Sequence, residues 1–522
     1  MTTEAADAVA IARGVIDTAV RHLAAADDPE AEQVVAYDVA HAAAAVENAS
    51  AVLAYGEKGD VENRIAKAFA AEAIHDVATR LLGREAAWGV ELSMIHGALP
   101  FVREHRSAEF LAGLAGEEGP RHLDGDFEMV QDSFRRFAED KVRPVAEHIH
   151  RENADIPEDI ISGLAELGTF GLSIPEEYGG FATPGEGEYM AMVVSTEELS
   201  RGSLGVAGSL ITRPEILARA LVTGATEEQK QEWLPKLASG EVMAAVAVTE
   251  PDFGSDSGGV KTAATRDGDD YVITGVKTWC TFAGRADALM LQARTDPDRS
   301  LKHRGLSLFI VPKERAPGHS FQFDQPGGGR MEGRAIDTIG YRGMHSYEVS
   351  FDGWRVPAAN LIGGEAGIGR GFYLCMAGFE NGRLQTAGRA VGVMQAAYEA
   401  ARDYARDRSV FGQPLAQFEL TQVKLTRMAV VIQAARQFMY SVARLMAKGQ
   451  GTMEAAMVKA YVCRAAEWVT REAMQVHGGM GYAEEFPVSR YYVDARVLSI
   501  FEGADEVLAL SVIFRNLIKN AR

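Results

Sequence analysis

The spacing of apolar residues changes twice along the chain, and no other feature restricts the fold as much. From about residue 5 to 115 the sequence is rich in Ala, Glu and Leu, has hardly any proline, and repeats its apolar positions with a helical period. A second helical stretch starts near Phe127, where Val130, Phe134, Phe137 and Val145 trace one stripe, and runs with interruptions such as IPEEYGG (174–180) to about 240. Between about 241 and 358 the period becomes that of strands: YVITGVKTW, ALMLQAR, LSLFIVP and YEVSFDGWRV carry β-branched and aromatic residues between Gly and Asp turns. Beyond GGEAGIGRG (363–371) long amphipathic helices return. The order helices, sheet, helices predicts a mainly α fold with a central β domain. Its four parts are a helical extension (1–120), a helical domain (121–240), a β domain (241–358) and a C-terminal helical bundle (359–522). GLAGEEGPRHLDGD (113–126) reads as an exposed linker after the extension. EKGDVENRIAKAF (57–69) echoes AKGQGTMEAAMVKAY (447–461) with a two-residue offset, and both read as helical hairpins.

At 522 residues the chain needs several packed units rather than one core. With 47% hydrophobic and 24% charged residues it is globular. Lys and Arg number 53 against 73 acidic residues, and the net charge of -20 repels a nucleic-acid backbone. MTTEAADAVA lacks a basic region followed by an apolar core, and no later stretch is apolar for long enough to cross a bilayer, so a cytoplasmic protein is expected. Cys280, Cys375 and Cys463 lie far apart and read as buried thiols; with no CxxC, HExxH or carboxylate–histidine cluster at ligand spacing, no metal is expected.

In VTEPDFGSD (248–256), Gly254 lets a ligand approach the backbone while Thr249 and Ser255 offer hydroxyls; an ordinary turn between strands accounts for the segment equally well. TWCTFAG (278–284) adds Trp279 and Thr281, although Trp279 alone reads as a core aromatic before it reads as a cofactor wall. RSVFG (408–412), QVHGGMGY (475–482) and GIGRG (367–371) all fail the strand-to-helix GxGxxG pattern, which disfavours a Rossmann fold.

Together with GLAELGTFGLSIPEEYGG, VSFDGWRVPAANLIG and IFEGADEV, these blocks resemble the flavin-dependent acyl-CoA dehydrogenase family, in the family's order and over roughly residues 125–520. The resemblance implies an α-helical domain, a β-barrel-like domain and a C-terminal four-helix bundle, with FAD held between the last two and across a subunit boundary. It implies that Thr249, Ser255, Trp279 and Thr281 contact the flavin and its phosphates. Arg408, Phe411, Gln475, Gly478 and Gly479 then meet the FAD of the neighbouring subunit, and Glu380 and Arg383 in GFENGRL lie near bound CoA, with a structural ion pair as the other reading of Arg383.

By the same resemblance Glu502 falls where many members carry the base that takes a proton from the carbon beside a thioester carbonyl. The amide of that residue, next to Gly503, then binds the thioester oxygen. Ile500 and Phe501 read as an apolar enclosure that strengthens the base by desolvation. A second branch carries its base in the FENGRL helix, where this chain has Gly382. EGA stands for the usual EGT, so Ala504 lacks a hydroxyl, and QFDQPGGGRMEGR (322–334) reads as an enlarged loop.

Family members that oxidise methylsuccinyl-CoA, a short α-methyl-branched dicarboxylyl thioester, to mesaconyl-CoA in the ethylmalonyl-CoA pathway share an N-terminal extension of this kind. The chain resembles them, which implies that substrate. A terminal carboxylate requires a cation in the acyl pocket, and Arg213 in SLITRPEIL is the candidate, with a surface salt bridge as its alternative. An electron-transferring flavoprotein is the expected acceptor and a homodimer the expected assembly. A short-chain dehydrogenase of another substrate, an acyl-CoA oxidase or flavin monooxygenase, and a non-catalytic flavoprotein stay open.

Overall fold

The structure, a computed structural model, describes residues 3–182 and 185–522. The chain forms two compact units: residues up to Met129 together with Thr386–Arg522, and Val130–Gln385.

In the first unit the amino-terminal residues form three helices, α1 (Thr3–Ala24), α2 (Gln33–Gly56) and α3 (Asp60–Leu81). Helix α2 packs against α1, α3 and the C-terminal helices Glu419–Met446 and Thr452–His477. Its run Ala42–Ala45 and Ala49 are buried, and such short side chains let helices on several sides approach closely. An Ala-rich helix with polar neighbours reads as amphipathic, whereas here it is enclosed on most faces. The segment 113–126, expected to be an exposed linker, is tied to this unit instead: Gln433 Nε2 donates to the Pro120 carbonyl (2.9 Å), Arg402 pairs with Glu118 (2.6 Å), and His122 meets Glu62 (2.6 Å). Leu114 and Leu123 are buried as well, while most other residues of the segment are exposed, so polar contacts and two apolar side chains together tie it down.

The second unit is built on a sheet of eight strands: β1 (Ala244–Ala247), β2 (Ala263–Asp267), β3 (Asp270–Thr281), β4 (Ala288–Arg294), β5 (Leu306–Pro312), β6 (Ser320–Asp324), β7 (Arg330–Ile336) and β8 (Ser346–Pro357). Their order is β1-β4-β2-β3-β8-β7-β6, with β5 paired to the other side of β4. Every residue of β4 is buried, which explains why ALMLQAR reads as a continuous apolar run rather than an alternation. One face packs with Phe134, Ile149, Ile160 and Leu164 from the preceding helices into a single core. The segment expected to be an enlarged loop is mostly the antiparallel hairpin β6–β7, closed by a turn in which Gly327 and Gly328 take positive φ. The run of glycines at 327–329 in that turn hides the alternation of Phe321, Phe323 and Met331.

Candidate active site

The helix Val488–Leu498 stops at Ser499, and a short loop leads to the next helical turn at Asp505. The Asp505 amide donates back to the Ser499 carbonyl (3.1 Å), which closes the loop at its base. Glu502 sits at the crest with φ +54, a left-handed conformation that costs an L-residue roughly 1–2 kcal/mol, and Gly503 follows with φ +100. Lys459, 1% exposed, donates from Nζ to the Gly503 carbonyl (2.5 Å) and holds the strained pair from below.

The Glu502 side chain is 6% exposed and Arg389 has no exposed side-chain surface. Arg389 Nη2 donates to both carboxylate oxygens (2.9 and 2.8 Å), and Thr386 Oγ1 donates to Oε2 (2.7 Å). The expected apolar enclosure is thus replaced by a buried guanidinium. Ile500 is largely exposed, and the Phe501 ring lies 5.0 Å from the Arg389 guanidinium carbon as a cation–π partner. Charge pairing, rather than desolvation alone, allows a carboxylate to stay buried.

Asp505 closes the other end of the loop. Its Oδ2 accepts from Tyr37 (2.5 Å) and His41 Nε2 (3.1 Å), both on α2. Burial pushes the Asp505 carboxyl up, but the His41 and Tyr37 hydrogen bonds outweigh it and hold the group below its usual range. Burial lowers His41, so the neutral ring donates through Nε2–H. Ala504 and Glu506 line a pocket of about 420 Å³ that also receives Arg464 and Arg496.

In the second unit, the Thr278 amide donates to the Thr249 carbonyl (2.8 Å) and brings the VTEPDFGSD loop against the end of β3. The pairing of β3 with β8 slips between Lys277 and Cys280, and within that bulge Trp279 has φ +57 and is 54% exposed. The indole therefore faces outward and is not a core residue. Thr281 is buried with its hydroxyl bonded to Ser346 (2.9 Å), and Ser255 is exposed beside Gly254, where a Cβ would meet nothing. Glu250 and Lys277 also belong to this corner. Lys277, wholly buried, donates to Glu250 Oε1 (2.9 Å) and the Val248 carbonyl (2.9 Å), while Glu250 accepts from the Lys261 and Thr262 amides (2.7 and 2.8 Å).

Arg408 and Phe411 lie on a tight hairpin pairing 409–410 with 413–414; Phe411 is at its tip with φ +49 and is 97% exposed. Tyr404 stacks on His477 at 4.3 Å, which brings this hairpin beside the exposed Gln475, Gly478 and Gly479 at the end of Thr452–His477. Glu380 and Arg383 are half-buried on the helix Gly371–Asp407, and Asn381 between them bonds Glu215. Arg213 is 6% exposed in the first turn of the helix Thr212–Gly224, so a surface salt bridge does not describe it. The structure places Glu502, Gly503 and the 408–411 and 475–479 group in the first unit; Thr249, Ser255, Trp279, Thr281, Arg213, Glu380 and Arg383 lie in the second.

In each unit an aromatic side chain is presented to solvent from left-handed backbone, Trp279 in the second and Phe411, followed by the open Gly412, in the first, and each offers a face on which a flat ring can stack. Sequence reasoning missed Arg389, Thr386, Lys459, Tyr37, His41, Lys277 and Glu250. Glu250, Lys277 and Lys459 fall inside VTEPDFGSD, YVITGVKTW and AKGQGTMEAAMVKAY, segments already singled out, while the other four lie outside them.

Residues 125–241, 245–354 and 369–518 match the N-terminal, middle and C-terminal domains of acyl-CoA dehydrogenases. A (2S)-methylsuccinyl-CoA dehydrogenase of Cereibacter sphaeroides is 47% identical over 402 residues, 77% of this chain and 71% of that protein. The solved glutaryl-coenzyme A dehydrogenase–glutaryl-CoA complex shares 30% identity at a TM-score of 0.70, covering 77% of this chain and 97% of its own. A glutaryl-CoA dehydrogenase of Mycobacterium smegmatis in complex with FADH2 shares 26% identity at a TM-score of 0.67, covering 77% and 96%. The chain belongs to the acyl-CoA dehydrogenase family. It is an FAD-dependent oxidoreductase that acts on the CH–CH bond of acyl-CoA thioesters.

Proposed function

We propose that this enzyme dehydrogenates a short α-methyl-branched dicarboxylyl-CoA, methylsuccinyl-CoA to mesaconyl-CoA, as in the ethylmalonyl-CoA pathway, with Glu502 as the base. The observation that carries the mechanism is the buried Glu502 carboxylate, held by Arg389 and Thr386 on a strained loop. Arg389 Nη2 and Thr386 Oγ1 donate to oxygens that must be anionic to accept a proton, and the left-handed turn fixes where that proton is received. Bound FAD supplies the hydride acceptor. Trp279, Thr249, Thr281 and Ser255 would flank it, and Arg408, Phe411, Gln475, Gly478 and Gly479 would meet the cofactor of a partner copy. The amide beside Gly503 would polarise the thioester, with Glu380 and Arg383 near the CoA.

The substrate is supported by the 47% identity to a methylsuccinyl-CoA dehydrogenase and by Arg213, a buried cation on the helix Thr212–Gly224. An electron-transferring flavoprotein is the acceptor in this reading, the assembly is a homodimer in the cytoplasm, and the four sequence segments are its parts. No helix among the described residues is long and apolar enough to cross a membrane.

Anaerobic mixing with methylsuccinyl-CoA should bleach the flavin faster than mixing with butyryl-CoA, and an electron-transferring flavoprotein should restore the colour. Faster bleaching by butyryl-CoA would favour the straight-chain reading, and no bleaching by any ester would remove the enzymatic one.

A further inference from the structure

The loop that carries Glu502 is held at three points, and at one of them the grip comes from a helix outside the segments that match the family's domains. Lys459 supports the Gly503 carbonyl, and Arg389 with Thr386 receives the carboxylate. The third point is Asp505, three residues past the base, and it is gripped by α2. Tyr37 and His41 lie one helical turn apart on the same face, their rings 4.4 Å apart in an edge-on contact, and both converge on Asp505 Oδ2. His41 is 4% exposed and Asp505 8%.

A loop with a non-glycine residue at φ +54 relaxes unless its surroundings fix it at both ends. One end is the helix finishing at Leu498; the other is Asp505, whose amide also closes the loop onto Ser499. Fixing the Asp505 side chain therefore fixes the turn that aims Glu502 at Arg389. We propose that Tyr37 and His41 are positioning residues for the catalytic base and act through Asp505. The amino-terminal helices thereby take part in setting the turnover rate, besides packing on the C-terminal helices. The proposal rests on Glu502 being the base.

The test uses the FAD-loaded full-length enzyme with Tyr37→Phe, His41→Leu and His41→Gln. Because small displacements of a catalytic group slow reactions by up to about a hundredfold, Tyr37→Phe and His41→Leu are expected to lower kcat by roughly 10- to 100-fold with KM nearly unchanged. His41→Gln, whose amide can still donate to Asp505, should recover most of that loss. Amide hydrogen exchange across 499–505 should quicken in His41→Leu while α1 and α3 keep their protection. Should His41→Leu not fold, Tyr37→Phe, which loses a single hydroxyl, gives the same two readings. Unchanged kcat with a lowered melting temperature would overturn the proposal, because a merely structural contact predicts that outcome. So would equal kcat losses in His41→Gln and His41→Leu. If Glu502→Gln kept full activity, the identity of the base would fall instead, while the exchange of 499–505 would still report whether α2 pins the loop.

Discussion

Glu502 could be found from its motif, but its partner could not, because a single arginine in an amphipathic helix reads as a solvated charge until the fold buries it. Arg389 has no exposed side-chain surface, and its Nη2 serves both oxygens of Glu502. The two residues should therefore fail differently when changed. Glu502→Gln removes the proton acceptor and is expected to lower kcat by roughly 100-fold or more while bound FAD keeps its absorbance, and because it also strips the buried Arg389 of its counter-charge the melting temperature should fall. Arg389→Met takes the guanidinium away from a buried carboxylate and should destabilise the protein by about 3 kcal/mol or more in denaturant unfolding. Adding Glu502→Gln to Arg389→Met should recover part of that loss, and absence of recovery would mean the two charges are not coupled. Arg213 makes the substrate question testable at one side chain: Arg213→Leu should raise KM for methylsuccinyl-CoA while sparing butyryl-CoA. Equal effects on both esters would remove Arg213 as the counter-charge.

Among the elements, the strands and long helices were legible from their periods because burial on one face writes a period into the sequence. The hairpin β6–β7 was not, because QPGGGR carries turn residues that dominate a short alternation. The outward Trp279 was not either: it depends on a bulge in β3, and nothing in YVITGVKTW marks where the pairing slips. The imidazoles of the helical unit give the elements a pH signature. Burial lowers His41 on α2, His75 on α3 and His477 at the end of Thr452–His477 from the ordinary histidine value. Below about pH 6.5 the unfolded chain then binds protons that the native helices refuse, so stability falls as pH drops through that value. Glu250 and Asp505 behave in the opposite window. Burial pushes each up, but Lys277 and the His41 and Tyr37 contacts outweigh it, and their depressed values keep that stabilisation until the pH approaches about 4. The melting temperature should thus decline between pH 7.5 and 5.5 before any carboxylate is lost. His41→Gln should show a shallower decline, and an unchanged slope would show that His41 does not contribute to it.

For the whole molecule, the echo between 57–69 and 447–461 acquires a spatial meaning. Phe69 and Tyr461, which end the two segments, meet as an edge-on pair at 5.7 Å. Around them the α2–α3 pair packs on Glu419–Met446 and Thr452–His477. A residue that touches its own counterpart is the mark of a two-fold contact, in which one surface meets a copy of itself. If the echo is a true duplication, a single chain supplies both copies, and the α2–α3 pair covers the face of the C-terminal helices that would otherwise receive a hairpin from another chain. We therefore expect the FAD-loaded protein to stop at two chains, and light scattering at increasing concentration should return the mass of a dimer throughout. A mass of four chains would mean that a second association surface exists and that the echo is chance similarity between Ala-rich helices. Glu72 offers a further check, because it joins α3 to Arg427 on the C-terminal helix (2.9 Å) beside that ring pair. Glu72→Lys sets like charges across the contact and should loosen the hairpin. If the hairpin stands in for a second dimer, that variant should gain a concentration-dependent tetramer; a variant that merely melts earlier as a dimer would show that the covered face has no affinity for another chain.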